Sequence, residues 1–267
     1  MMSSLIDRLT PKQKQSVDFI YAECLKAGIT NLDFISSLIA LCNKESGLIP
    51  QSENMNYSKE RLPEVWGVFS KTGKKVAKGT GKNNYNDLAV KYANSPEALA
   101  NFVYGGKYGN SPTEGYKYRG RGFNGITYKN LYKILSDKYG VDYVKNPDLI
   151  NEPEHAAKSL LYYFTDLNNR FKPNEVTDQA DALKKVFRLN AGWGNGFPTA
   201  ASMGYMQMVS EAPEYKKYLE KINPQTINNN KSNLPKFLFW GLLILGAFIV
   251  YKNYNKQPIV DNLPQSF

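Results

Sequence analysis

The strongest constraint on the fold is a succession of amphipathic helical patterns with recognisable ends. In the first pattern, Thr10 is an N-cap candidate, Pro11 suits the first helical position, and Gln13 completes a capping box. Apolar residues then recur at helical spacing, and Gly28 is placed to end the helix. The same reasoning predicts further helices at about residues 31–45, 95–105, 127–139, 152–167, 178–190 and 199–222.

Signals for β-strands are few, so the sequence predicts one mainly α-helical globular domain over residues 1–222. Residues 61–86 interrupt the helical patterns with glycine, lysine and asparagine, and they contain the turn signals KTGKK and KGTGKNN. We interpret this segment as a basic loop or β-hairpin, which makes the predicted class α+β with a small β element.

The far end of the chain contains an uncharged apolar run, residues 237–251 (FLFWGLLILGAFIVY), between two lysines. The run is short against the roughly 20 residues that span a bilayer, although flanking lysines extend its reach. A buried core helix is the alternative, but the run follows a polar linker, residues 223–236, and only a short tail, residues 253–267, comes after it. The sequence therefore predicts a membrane anchor over residues 237–252 that contacts a lipid bilayer, in a single-pass membrane protein without a signal peptide.

Charge and composition restrict the partners of the chain. The formal net charge of +10 favours a polyanionic partner, namely nucleic acid, anionic lipid or the bacterial cell wall. Binding to nucleic acid would explain the charge and no other feature, so we predict no nucleic-acid partner. Cys24 and Cys42 fall in helical patterns as buried free thiols, and His155 is the only histidine, so neither a metal site nor a cofactor is predicted.

Two glutamates are candidates for acid–base chemistry. Glu45 extends the apolar face that Leu38, Leu41 and Cys42 form on the second helix. A carboxyl group withdrawn from water keeps its proton more readily, as a general acid must, although a glutamate at a helix end also simply reaches solvent. Glu53 follows by eight positions after a turn. Inverting glycosidases use two carboxyl groups roughly 6.5–9.5 Å apart, with a water molecule between them.

Several short motifs occur in a fixed order along the chain. Together they resemble glycoside hydrolase family 19, the family of chitinases and phage endolysins with a lysozyme-like domain. The motifs are KESG (44–47), ENMNYS (53–58), NFVYGGKYG (101–109), YKYRGRG (116–122), NPDL (146–149) and LNAG (189–192).

This resemblance implies a lysozyme-like fold and an inverting, single-displacement hydrolysis of β-1,4-linked N-acetyl hexosamine polymers. It implies that Glu45 is the general acid, that Glu53 is the general base, and that Thr127 helps to hold the attacking water. Thr127 is also a candidate N-cap for the helix that follows it.

The resemblance also implies a set of residues that bind the substrate. Asn190 would contact the N-acetyl group, although it is also a candidate helix C-cap. Arg119 and Arg121 would brace the loop near the acids, with a solvated surface as the alternative. The predicted substrate-binding residues are Asn56, Tyr57, Arg121, Asn124 and Asn190.

Three positions depart from the family pattern. Lys44 replaces a histidine, Gly125 replaces a glutamine, and Leu131 replaces an asparagine. Lys44 brings a positive charge close to Glu45, and the other two remove amides that normally bind the sugar. Weaker activity, altered specificity or a binding domain without catalysis are all compatible with these changes.

The sequence thus predicts a phage-type, peptidoglycan-degrading lytic enzyme. The alternatives are a chitinase, which differs only in substrate, and a non-catalytic glycan-binding membrane protein of a virion. The pair Glu45 and Glu53 favours an enzyme. The bond cleaved and the oligomeric state stay open.

Overall fold

The computed structural model describes residues 4–167, 172–190 and 203–222. These residues form nine α-helices and no β-strand, apart from two isolated bridges, Ser70–Tyr85 and Arg121–Ile126. A mainly helical chain is therefore confirmed. The helices are α1 (Pro11–Lys26), α2 (Leu32–Ser46), α3 (Leu62–Val65), α4 (Asp87–Tyr92), α5 (Pro96–Tyr104), α6 (Lys129–Tyr139), α7 (Pro153–Tyr162), α8 (Gln179–Asn190) and α9 (Met203–Lys221).

Local hydrogen bonds set the ends of the first two helices. The Thr10 side chain accepts from the Gln13 backbone at 3.3 Å, and the Gln13 side chain accepts from the Thr10 backbone at 2.9 Å, which confirms the capping box. Asn31 caps α2 by accepting from the backbone N–H of Phe34 at 3.0 Å. Gly47 ends α2 with φ +61°, a left-handed conformation that glycine adopts without strain.

The chain divides into two compact units. In the first, formed by residues up to 49 and from 160 onward, α2 packs against α1, α8 and α9. The thiols Cys24 and Cys42 are free and buried here, as predicted, at 0% and 1% exposure. The prediction of one domain over residues 1–222 stays a prediction.

The second unit comprises Pro50–Ser159. Its core combines residues from α3, α4, α5 and the segments between them: Met55, Leu62, Phe69, Ala89, Leu99, Ala100, Val103 and Tyr104. The predicted excursion at residues 61–86 lies in this unit, where it forms α3, two 3₁₀ turns and the single bridge Ser70–Tyr85. It is a folded loop and not a β-hairpin, because side chains such as Asn86, which donates to the carbonyls of Val68 and Ser70, replace a strand ladder.

The start of α6 differs from the sequence prediction. The helix begins at Lys129, and Tyr128 occupies the N-cap position with φ +74° and no side-chain cap. Thr127 is therefore not the N-cap, because its hydroxyl donates to the carbonyl of Gly125 at 2.7 Å and belongs to the preceding turn.

The predicted localisation as a single-pass membrane protein is corrected by the structure. No helix in the part of the chain that the structure describes is both long and apolar enough to cross a membrane. The longest, α9, has 19 residues and carries charged side chains, among them Glu211, Glu214 and Lys216. The predicted span, residues 237–251, and the linker before it lie outside the described residues.

Asp18 makes the stability of the first unit depend on pH. Burial raises the pKa of Asp18 from 3.8 to about 6, against the opposing effects of the Tyr218 hydroxyl, which donates to it at 3.3 Å, and of Lys14. A raised pKa in the folded state contributes stability that is complete below about pH 4 and is lost as the pH rises through about 6. Between these pH values we expect the free energy of unfolding of wild type to fall by on the order of 2 kcal/mol because of Asp18. We predict that Asp18→Asn, which keeps the acceptor for Tyr218, removes this fall. Urea unfolding at several pH values measures this change, and identical pH profiles for variant and wild type would contradict the assignment.

Candidate active site

Glu45 lies in the last turn of α2, in the first unit. Its Oε1 accepts a hydrogen bond from Asn190 Nδ2, at the end of α8, at 3.0 Å, and it also accepts from the ammonium group of Lys44. The structure thus brings together two residues that the motifs place far apart in the sequence. Glu45 is exposed, in agreement with the alternative of a glutamate that reaches solvent at a helix end. The physical reason is that α2 ends directly after it, at Ser46.

Lys44 is held against two neighbouring helices and does not point away from Glu45. Its ammonium group lies 5.3 Å from the centre of the Phe187 ring of α8, a cation–π arrangement. Its aliphatic chain runs so close to Gly204 of α9 that a side chain at that position would collide with it. The positive charge that replaces the family's histidine is therefore a fixed part of the surroundings of Glu45.

Glu53 has a very different environment, in the second unit. Its backbone N–H donates to the carbonyl of Gly120 at 2.7 Å, and both carboxylate oxygens accept from the hydroxyl of Tyr104 at 3.0 Å. Burial raises the pKa of Glu53, while the Tyr104 hydroxyl, the Gly120 backbone and the charge of Arg119 oppose that rise. Glu53 is thus a carboxyl group partly withdrawn from water but supplied with donors.

Tyrosines surround Glu53. Burial, and then the charge of Glu53, raise the pKa of Tyr57 and of Tyr104. The Tyr128 ring meets the Tyr104 ring edge-on at 5.6 Å, and Tyr128 itself has the unusual φ of +74°. Backbone strain of this kind is commonly found beside functional sites.

The sequence analysis missed Tyr104 and Tyr128 as site residues. Tyr104 lies inside the motif at residues 101–109, so its position in that motif is the signal that could have identified it.

The loop at residues 119–127 is braced by Arg121. This side chain is 2% exposed, and it donates to Asp148 at 2.8 Å and to the carbonyl of Lys117 at 2.7 Å. Arg121 and Ile126 exchange two backbone hydrogen bonds across a tight turn. The donors of Arg121 are directed at the protein itself, and its role in binding substrate stays a prediction.

The remaining predicted site residues lie in the second unit with Glu53. Thr127 is buried, at 5% exposure, and its hydroxyl donates to Gly125. The side-chain oxygen of Asn124 is buried and has no hydrogen-bond partner in the part of the chain that is described. Asn56 is exposed, and Tyr57 packs against Trp66 with ring centres 5.3 Å apart.

Gly125 and Leu131 differ from the family pattern for different reasons. Gly125 has φ +69°, so a glutamine there would be strained in this turn. Leu131 is partly buried in the first turn of α6, and the structure gives no reason for this departure.

No group of three or more metal-binding side chains was found among the described residues. Glu45 and Glu53 are carboxyl groups with hydrogen-bond donors around them, each within its own unit.

Removing the Tyr104 hydroxyl tests the electrostatics at Glu53. Because this hydroxyl opposes the rise of the Glu53 pKa, Tyr104→Phe should raise that pKa further. We expect the titration of the Glu53 carboxyl carbon, followed by NMR, to move to higher pH. The variant Tyr139→Phe is the matched control, because the Tyr139 hydroxyl bonds to the carbonyl of Lys158 in the same unit. An unchanged Glu53 titration in Tyr104→Phe would show that the hydrogen bond is absent in solution.

Comparison with known proteins agrees with the motifs. A glycosyl hydrolase family 19 domain-containing protein of Haemophilus influenzae is 29% identical over 198 residues, which cover 72% of this chain and 87% of the relative. No family model matches the chain.

Two solved structures are also similar to the chain. A chitinase C mutant and chitinase C from Streptomyces griseus are each 17% identical and cover 78% of this chain, and 82% and 83% of their own chains. Their TM-scores are low, at 0.36 and 0.41, so the resemblance depends on the sequence relative and the motifs.

Proposed function

Because the chain resembles glycoside hydrolase family 19, we propose that it is a glycoside hydrolase of β-1,4-linked N-acetyl hexosamine polymers, with peptidoglycan as its substrate. The observation that carries the proposal is the environment of Glu53, a partly buried carboxyl group held by Tyr104 and by the backbone of Gly120. A carboxyl group in this environment is held in place and can exchange a proton with water. The similarity to the family 19 relative supports the same chemistry.

In the proposed mechanism, a water molecule attacks the anomeric carbon in a single displacement. Glu53 accepts a proton from this water, and Glu45 donates a proton to the glycosidic oxygen as the bond breaks. The Thr127 hydroxyl already donates to Gly125, so its lone pairs are available to accept from the water. Asn190 holds the Glu45 carboxylate and orients it.

One observation favours the opposite assignment of the two roles. Burial raises the pKa of Glu53, whereas Glu45 is exposed with Lys44 and Asn190 as donors. Two carboxyl groups in contrasting environments usually divide the roles, and the buried one is more often the acid. The order implied by the family remains our proposal, and the reversed order is its direct competitor.

Peptidoglycan is proposed over chitin because the chain carries a net charge of +10 and the polymer of the bacterial wall is anionic. Chitinase activity is the second candidate, since the family that the motifs resemble includes chitinases. A glycan-binding protein without catalysis is the third, favoured by the contact of Lys44 with Glu45. The involvement of a phage and a role in wall lysis stay predictions.

Cleavage by the full-length chain tests the function. We predict that wild type releases fragments with ordinary reducing ends from purified peptidoglycan, and that Glu45→Gln and Glu53→Gln each lower the rate by at least about a hundredfold. Mass spectrometry identifies the products. The exposed Glu220 supplies the control, because Glu220→Gln makes the same change away from both carboxyl groups. Products with anhydro ends would contradict hydrolysis, and a folded wild type inactive on peptidoglycan and chitin would favour the binding protein.

A second experiment separates the two roles of the glutamates. An aryl glycoside with an acidic leaving group needs no proton from the enzyme, so we predict that Glu45→Gln cleaves it at close to the wild-type rate. Azide replaces the activated water, so it should restore the rate of Glu53→Gln and form a glycosyl azide. If instead Glu53→Gln is active on the aryl glycoside and azide restores Glu45→Gln, the roles are reversed.

A further inference from the structure

Five lysines of the second unit lie in one segment that contains no acidic residue. Between Glu64 and Asp87 there are five lysines and no acidic residue, in a chain whose formal net charge is +10. We call residues 67–86 the basic loop. All five side chains are exposed: Lys71, Lys74, Lys75, Lys78 and Lys82.

These lysines differ from several lysines on the helices. Those helical lysines pair with an acidic residue three or four positions away, as Lys26 does with Glu23 at 2.6 Å and Lys158 with Glu154 at 2.7 Å. No carboxylate of the described residues forms an ion pair with a lysine of the basic loop, where only Lys71 donates, to the carbonyl of Asn83 at 3.0 Å. The positive charge of the loop is therefore not cancelled by ion pairs among the described residues, and the nearby carboxylate of Glu60 interacts with the charge of one loop lysine, Lys82.

The loop holds this charge in a fixed conformation. Glu64, whose side chain is 8% exposed, accepts from the backbone N–H groups of Gly79 at 2.8 Å and Gly81 at 3.1 Å, while Arg61 pairs with its other oxygen. The Ser70 hydroxyl donates to the carbonyl of Lys74 at 2.7 Å. These hydrogen bonds fix the backbone that carries the lysines, so the charged side chains start from defined positions.

The basic loop begins 14 positions after Glu53, since 67 − 53 = 14. Tyr57 packs against Trp66, and the ammonium group of Lys59 lies 5.1 Å from the centre of the Tyr85 ring, at the end of the loop. Lysine ammonium groups are point charges on flexible stems without a fixed donor geometry. They suit a long polymer with repeated anionic groups better than a single small ligand.

We propose that the basic loop binds carboxylate groups carried by the glycan strand and its attached peptides, so that the enzyme prefers anionic strands to neutral ones. This inference rests on the proposed function and names the substrate class of the same enzyme. Attraction to an extended surface of opposite charge accelerates encounter by about ten to a thousandfold at low salt. The loop thus selects peptidoglycan over chitin through its charge.

Two variants of the full-length chain with equal charge test the proposal. One replaces the five loop lysines by glutamine. The control replaces five exposed lysines elsewhere by glutamine: Lys12, Lys133, Lys145, Lys184 and Lys217. Each lowers the formal net charge from +10 to +5, since 10 − 5 = 5. Circular dichroism and thermal unfolding check that both variants are folded.

The substrates are peptidoglycan and the same peptidoglycan with its carboxylates converted to amides. We expect the ratio of the two cleavage rates, anionic over amidated, to fall about tenfold in the loop variant at low salt and to stay near wild type in the control. Equal ratios in the two variants would show that net charge, and not the loop, sets the preference. An unchanged ratio in the loop variant would overturn the proposal.

Binding separates this inference from the proposed function. If wild type cleaves neither substrate, the hydrolase proposal fails, but sedimentation of the same three proteins with insoluble peptidoglycan still tests the loop. Loss of binding in the loop variant alone supports the inference, and equal binding by all three proteins contradicts it. Loop-dependent binding that double-stranded DNA or phosphatidylglycerol vesicles compete away more strongly than soluble anionic peptidoglycan would assign the loop to another class of partner.

Discussion

The burial of helix α2 is the constraint on which the first unit depends. Phe34, Ile35 and Leu38 are each fully buried, and the helix has α1, α8 and α9 around it. Because such a helix cannot shift without opening cavities, its last turn is fixed in position. Glu45 therefore has a defined place although it is exposed, and Asn190 at the end of α8 can meet it.

The second unit needs other hydrogen-bond partners for its backbone, because much of that backbone lies outside helices. Backbone N–H and carbonyl groups that leave the solvent need partners. Single charged side chains supply several of them at once: Glu64 binds two backbone N–H groups of the basic loop, and Arg121 binds backbone carbonyls of the loop that precedes α6. In this unit, polar side chains provide the hydrogen-bond partners that neighbouring strands provide in a sheet.

The range of each interaction along the chain explains what the sequence could predict. The contacts of Thr10 with Gln13 span three positions, and such local patterns predicted most helix ends correctly. Tyr104 binds Glu53 across 51 positions, which no local pattern encodes. Asn190 and Glu45 are 145 positions apart, and only the family motifs indicated that both belong to the site. The sequence left the exposure of Glu45 open, because a helical face predicts which side is buried, but not where its packing partners stop.

The reactivity of the two buried thiols reports on opening of the core of the first unit. Burial raises the pKa of Cys24 and of Cys42 well above the ordinary value, so neither is a thiolate in the folded chain. Alkylating reagents attack the thiolate, and they reach these sulfur atoms only when α1 and α2 separate. The rate of alkylation under native conditions therefore counts the opening events of this part of the core, without any added label.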